Sequence, residues 1–268
     1  MKLPSPSRRS KNQLAQTCVA LALAANLAQG ETILNETFAG GEIHTQALPG
    51  SAAWAKMASS VAGQKGTTLE IGDGALILTP DPMVSQGQVL AYFSEKSVSL
   101  KVGDSVTLAF TFLATKPGVA GNGFRFGLLN SNGKQVGEDG FTDNPKYLTW
   151  NGYAVWTNLV GGATSIRKRA GESATLFDGA QGVFVALPGN DKGLELVEGV
   201  AAKGSLTLKR SGEDEITATF SINGSNLTTM DHSGVCHDFD TVVFRIAQGA
   251  AASLSLRDVS ITTDTAEK

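Results

Sequence analysis

The chain has 268 residues, 41% of them hydrophobic and only 18% charged, with 31 glycines and 8 prolines. A composition this low in charge and rich in turn formers argues against long surface helices and coiled coils and favours many short strands. With 22 basic against 25 acidic residues, it lacks the basic footprint that a nucleic-acid partner requires.

The first thirty residues have the pattern of an export signal. Arg8, Arg9 and Lys11 form a basic n-region, Leu14 to Leu27 is apolar and alanine-rich, and Ala28-Gln29-Gly30 ends in small residues suited to cleavage. The apolar run is short for a membrane span, so no membrane insertion is expected once the leader is cut. Cleavage would remove Lys2, Arg8, Arg9 and Lys11 and no acidic residue, leaving 18 basic against 25 acidic residues, a net charge of −7. It would also remove Cys18, so Cys236 would be alone and no intramolecular disulfide could form. The expected location is secreted, periplasmic or on the cell surface, with residues 31–268 forming one domain.

Leu34 to Phe38 reads as a first strand. Residues 39–66 have weak periodicity, and Ala52 to Ala62 suggests a short helix. Thr67 to Ile71 and Ala75 to Thr79 flank Gly72-Asp73-Gly74, a hairpin signal. Gln88 to Ser94 is the next strand. Ser105 to Ala114 then alternates strictly, with Val106, Leu108, Phe110 and Phe112 on one face. A second patterned run, Phe124 to Asn130, follows the Lys116-Pro117-Gly118 break, and the pair reads as antiparallel neighbours in one sheet. Within that run Arg125 points away from Phe124 and Phe126.

Gly152 to Asn158 is a further strand. Ser165 to Arg169 carries Arg167-Lys168-Arg169, read as charges that guard a sheet edge. Ser205 to Arg210, Ile216 to Ile222 and Thr241 to Ala247 alternate clearly, with Asn223-Gly224 as a turn. Leu254 and Leu256 share one parity and Val259 and Ile261 the other, which requires a bulge at Arg257-Asp258. There is no βαβ alternation. Faces of period 2 need a second apolar layer, so the expected fold is an all-β antiparallel sandwich of two sheets.

Ser205-Leu-Thr-Leu-Lys-Arg-Ser-Gly, the Ile216–Ile222 strand and Asn223-Gly224 resemble the late strands of concanavalin A-like lectin/glucanase sandwiches, laminin-G-like members included. Glu36 to Phe38 and Asp258 to Ile261 resemble the bracketing strands of secreted bacterial jelly-roll domains. The resemblance implies a jelly roll and a family containing lectins, glycan-binding modules, glycoside hydrolases and polysaccharide lyases. It also implies Glu36 and Asp258 as ligands of a structural calcium ion that ties the terminal strands.

Hydrolysis of glycosides needs two carboxylates across one cleft. The sandwich glucanases carry Glu-x-Asp-x-x-Glu on one strand; here Glu213-Asp214-Glu215 sits in a turn and lacks that spacing. Residues 231–240 include Asp231, His232, Cys236, His237, Asp238 and Asp240, without the firm spacing of a zinc site. Trp150, Tyr153 and Trp156, with Asn158 and Arg125, are the candidate glycan-binding residues, since sugar C–H faces stack on open aromatic rings. The same alternating rings also fill a sandwich core, where large rings are usually buried. The leading expectation is a secreted glycan-binding, lectin-like module whose partner is an oligo- or polysaccharide. A lyase or hydrolase of the same fold, and a non-catalytic structural domain of the cell surface, are the alternatives.

Overall fold

The computed structural model describes residues 30–58, 67–80, 87–118, 123–137, 139–177 and 179–266. The expected leader lies outside them, Gly30 excepted. Among the described residues no helix is long and apolar enough to cross a membrane. The strands in chain order are Glu31–Glu36 (β1), Trp54–Ala58 (β2), Thr68–Gly72 (β3), Ala75–Thr79 (β4), Gly87–Tyr92 (β5), Val98–Ser99 (β6), Ser105–Thr115 (β7), Phe124–Asn130 (β8), Gly140–Phe141 (β9) and Asn151–Thr157 (β10). The second half adds Ala163–Arg169 (β11), Phe184–Ala186 (β12), Asp191–Lys192 (β13), Ala202–Gly212 (β14), Glu215–Ile222 (β15), Ser225–Asp231 (β16), Asp238–Phe239 (β17), Thr241–Ile246 (β18) and Ser253–Asp264 (β19).

The first sheet runs β16-β15-β14-β7-β19-β4-β3, with β1 also on β19; the second runs β12-β11-β10-β8-β18-β5-β2-β9, with β13 on β11. Their inner faces interdigitate into one core. Five phenylalanines meet at its centre. The Phe110 ring lies 4.8 Å from Phe126, 5.0 Å from Phe244 and 6.2 Å from Phe124, edge-on to each, and Phe112 packs on Phe124 at 5.2 Å.

The turn chemistry is as the sequence predicts. Asp73 and Gly74, and Asn223 and Gly224, take positive φ in two-residue hairpins. β19 slips its register between Arg257 and Ser260, with Asp258 at φ 45°. That bulge keeps Leu254, Leu256, Val259 and Ile261 all fully buried.

Three expectations are corrected. The strands at 105–115 and 124–130 are not neighbours in one sheet: β7 lies between β14 and β19, while β8 lies between β10 and β18. They face each other across the core, because the connection between them crosses from sheet to sheet. The segment expected as a helix from Ala52 contains strand β2, and residues 59–62 lie outside the described residues. Trp54 points into the core against Phe38 and Phe244, while Ala55 and Met57 bury the opposite face, a period-2 demand that a helix could not meet. Finally, β11 is not a solvated edge. It is flanked by β10 and β12, and Lys168 and Arg169 are buried.

The outer faces of the two sheets differ. On the second sheet, Ala55, Met57, Leu90, Tyr92, Leu129, Ala154, Trp156 and Val243 form a second apolar cluster. It is covered by Val136, Tyr147, Trp150, Leu176, Phe177, Val183 and Phe184, from the excursions that follow β8 and β11. The first sheet's outer face carries Thr32, Thr262, Thr107, Thr207, Thr219 and Thr228 directly opposite one another across six strands. Hydroxyls pair along this row, Thr107 with Thr207 at 3.0 Å and Thr219 with Thr228 at 3.2 Å.

Candidate functional site

Strand alternation puts Arg125 and Trp156 opposite each other on the outer face of the second sheet. Arg125 from β8 and Arg167 from β11 both lie over the Trp156 ring, 3.4 and 4.2 Å from its centroid. Arg125 donates to the Phe177 carbonyl at 3.2 Å, and Arg245 stands directly opposite it on β18. Burial lowers the Arg245 pKa to about 10, which still leaves it cationic at neutral pH. Trp150 packs edge-on against Tyr147 and Tyr92 and donates its indole N–H to the Lys134 carbonyl.

Arg169 holds this cover in place. Its five N–H donors all reach backbone carbonyls: Nε bonds Trp150, Nη1 bonds Thr175 and Leu176, and Nη2 bonds Tyr147 and Ser173. One guanidinium thus ties the 145–150 and 173–177 segments to the sheet. Its fixed planar fork satisfies acceptors that no apolar residue could.

The expected aromatic platform is therefore not an open surface. Trp150 is 2% exposed and Trp156 4%, both under the cover, and Arg125 is buried beside them. Tyr153 is on the opposite face, inside the core. Asn158 follows β10, half-buried, with its carbonyl bonded by Leu194 N–H. Period 2 gave these side chains their faces; it carried no information about loops that return to cover one of them.

Tyr153 belongs to a polar group at the rim between the sheets. Its hydroxyl donates to Asp231 Oδ2 at 2.8 Å, and Lys168 Nζ reaches Asp231 at 2.9 and 3.0 Å and the Ser233 carbonyl. Burial, then the Asp231 carboxylate, raises the Tyr153 pKa well above its ordinary value. Cys236 Sγ lies 3.0 Å from Asn151 Oδ1, and burial pushes its thiol up to about 12. This lysine–aspartate pair joins β11 of one sheet to β16 of the other, with every donor engaged. It acts as a staple.

Glu36 and Asp258 do not converge. Glu36 is buried, and its two oxygens accept the N–H groups of Phe38 at 2.8 Å and Ala52 at 3.0 Å. Asp258 is exposed at the bulge, lining a shallow depression with Lys203, Ser205 and Ser221 on the first sheet's outer face. The acidic and histidine residues of 231–240 also disperse. His232 pairs with Glu215, His237 with Asp238, and Asp240 accepts from Ser131 and Thr241. Among the described residues no three His, Cys, Asp or Glu side chains gather as a metal site.

An open cleft of ≈ 590 Å³ remains beside the covered zone, at the β2–β5 side of the second sheet. Its apolar floor is Ala53, Ala55, Val136 and Tyr92, and its polar rim is His44, Gln46, Gln135 and Asp139. The Tyr92 hydroxyl accepts the Val136 N–H at 2.6 Å, fixing residues 135–137 against the sheet. Burial raises the Tyr92 pKa, so it stays a neutral phenol. Asp139 Oδ1 accepts the Lys56 N–H at 2.8 Å, and its Oδ2 lies 4.0 Å from the Lys56 ammonium at a partly exposed rim. Two amides, an imidazole and one carboxylate around small apolar side chains can hydrogen-bond a neutral polyhydroxylated ligand and cover its C–H surface. Among the described lining residues Asp139 is the one carboxylate. These residues come from aperiodic loops, and only their proximity in space marks them.

No family model matches the chain, and no curated protein matches its sequence. Among solved structures it is similar to the endo-1,3-beta-glucanase from Streptomyces sioyaensis, at 11% identity and a TM-score of 0.53, over 88% of this chain and 97% of that one. It is also similar to a protein of unknown function with a galectin-like fold from Bacillus subtilis, at 14% identity and a TM-score of 0.48, over 80% and 90%. A third is arcelin-5, a lectin-like defense protein from Phaseolus vulgaris, at 11% identity and a TM-score of 0.42, over 80% and 99%. At such identities the likeness concerns the fold, which is the concanavalin A-like jelly roll.

Proposed function

We propose that this concanavalin A-like jelly roll is a secreted glycan-binding module of the lectin type, and that its sugar site is the cleft formed by His44, Gln46, Tyr92, Gln135 and Asp139. The observation that carries the reading is the cleft itself: polar, hydrogen-bonding side chains ring a small apolar floor on the second sheet's outer face, beside its covered part. Binding is favoured over hydrolysis because a single carboxylate lines the cleft among the described residues.

A glycan array followed by calorimetry on the best ligand tests the reading. Gln46→Ala and Gln135→Ala should each weaken binding about tenfold, the effect of losing ~1.4 kcal/mol, with melting unchanged. Asp139→Asn keeps an acceptor for Lys56 N–H and should reduce affinity less. Failure to bind any glycan would overturn the proposal in favour of a structural domain. Release of reducing ends or unsaturated sugars would convert it to an enzyme.

A further inference from the structure

Strand β16 is the outermost strand of the first sheet, and it is the one long sheet edge among the described residues without a guard. The edge strand β12 has three residues and β9 two. β3 carries Glu70, and the outer side of β1 is met by the Asn35–Pro49 hydrogen bond. β16, by contrast, has seven residues in unbroken register with β15 and reads Ser-Asn-Leu-Thr-Thr-Met-Asp. It has no lysine, no proline and no bulge, which are the devices that keep edges from pairing. Its one charged side chain, Asp231, is turned inward and held by Lys168 and Tyr153.

The hairpin fixes which backbone groups are open. Ile222 and Ser225 close the two-residue Asn223-Gly224 turn as a hydrogen-bonded pair. By alternation Ser225, Leu227, Thr229 and Asp231 bond back to β15. The N–H and C=O groups of Asn226, Thr228 and Met230 then point outward, and these three residues are exposed. The loop before β13 approaches β16 from the second sheet's side, where a Cβ on Gly189 would lie 3.5 Å from Leu227, and it leaves those residues uncovered.

We infer that β16 is a self-association edge, and that its occupant is β16 of a second copy of this chain, antiparallel about a two-fold axis at Thr228. The sequence is self-complementary in that register. Thr228 faces Thr228 of the second copy, Asn226 faces Met230 of the second copy, and no like charges meet. Roughly six backbone hydrogen bonds would form at the three outward residues. The threonine row already spanning six strands would run on through the axis, adding a Thr–Thr pair of the kind that supports antiparallel ladders. A closed isologous dimer with one continuous sheet results, and the cleft of the proposed sugar site is not part of it.

The test is sedimentation velocity over a concentration series with the purified protein. The expected result is a monomer–dimer equilibrium. Thr228→Lys, which sets two ammonium groups against each other at the axis, should weaken it at least about tenfold. Thr68→Lys, the same change on the far edge strand, should leave it unchanged. Thr228→Cys should oxidise to a covalent dimer, because residues opposite each other in a hydrogen-bonded antiparallel pair lie within disulfide reach, and Thr68→Cys should not. A protein that is monomeric at every attainable concentration overturns the inference. So does a dimer that both Thr228 variants leave unaltered.

Discussion

The two sheets share one core but present opposite outer faces. The first sheet shows water a lattice of hydroxyls, with β7 alternating buried and half-buried positions from Val106 onward. The second sheet buries both faces: every residue of β5, β8 and β18 is inside. Its outer side is a second core, closed by two loop excursions and joined by one arginine. The difference teaches that a strand pattern reports the number of buried faces as well as the secondary structure. Hydroxyl residues on the second parity, as in β15, mark a sheet with water on one side, and apolar residues on both parities, as Val89, Leu90, Ala91 and Tyr92 of β5, mark a sheet with a roof.

This contrast can be broken experimentally, and the largest effect is expected at the roof. Arg169→Ala removes five hydrogen bonds and takes the guanidinium donor from the Trp150, Ser173, Thr175 and Leu176 carbonyls, while Tyr147 keeps the Trp150 N–H. It should destabilise the protein by at least about 3 kcal/mol in urea unfolding, since each orphaned buried acceptor costs ~1–3 kcal/mol. Arg169→Lys should rescue only a minor part of this, because an ammonium cannot span both segments. Trp156→Ala removes a 4%-exposed ring from beneath the cover and should cost about 3–5 kcal/mol, seen as a lowered melting temperature whether or not a glycan is present. Retained stability with lost glycan affinity would instead return Trp156 to the binding surface. Tyr92→Phe strips the acceptor from the Val136 N–H. A loss of about 1–2 kcal/mol, with faster amide exchange confined to residues 135–137, would show that the roof frays at the cleft first. The smallest effect belongs to the open face. Thr207→Val breaks one hydroxyl pair with Thr107 and should change stability by less than about 1 kcal/mol.

Much of this was readable before any coordinates. The inner faces followed from period 2, the hairpins from Asp73-Gly74 and Asn223-Gly224, and the bulge from the parity slip at Arg257-Asp258. Partner choice was not readable. Phe110 and Phe124 both point inward, and nothing in either run says whether they lie side by side or face to face. The roof escaped for a related reason. Arg169 looked like an edge guard because a buried arginine and a solvated one have the same spelling, and only the five carbonyls around it separate them. His44, Gln46, Gln135 and Asp139 belong to loops whose sequences carry no period, so their convergence is a product of the fold. Trp150, Tyr153 and Trp156 read as large rings at strand spacing, a pattern compatible with a core or a platform; burial decides between them.

The place of β19 in the first sheet has a temporal consequence. It pairs with β1, β4 and β7, bringing Glu31 opposite Thr263 and Leu76 opposite Leu256. As the chain is synthesised, those earlier strands wait for their central neighbour until residue 264 has been made. Until then the sheet is split, and phenylalanines of β7 have no finished layer around them. Folding dominated by such distant pairings is slow and tends to be post-translational.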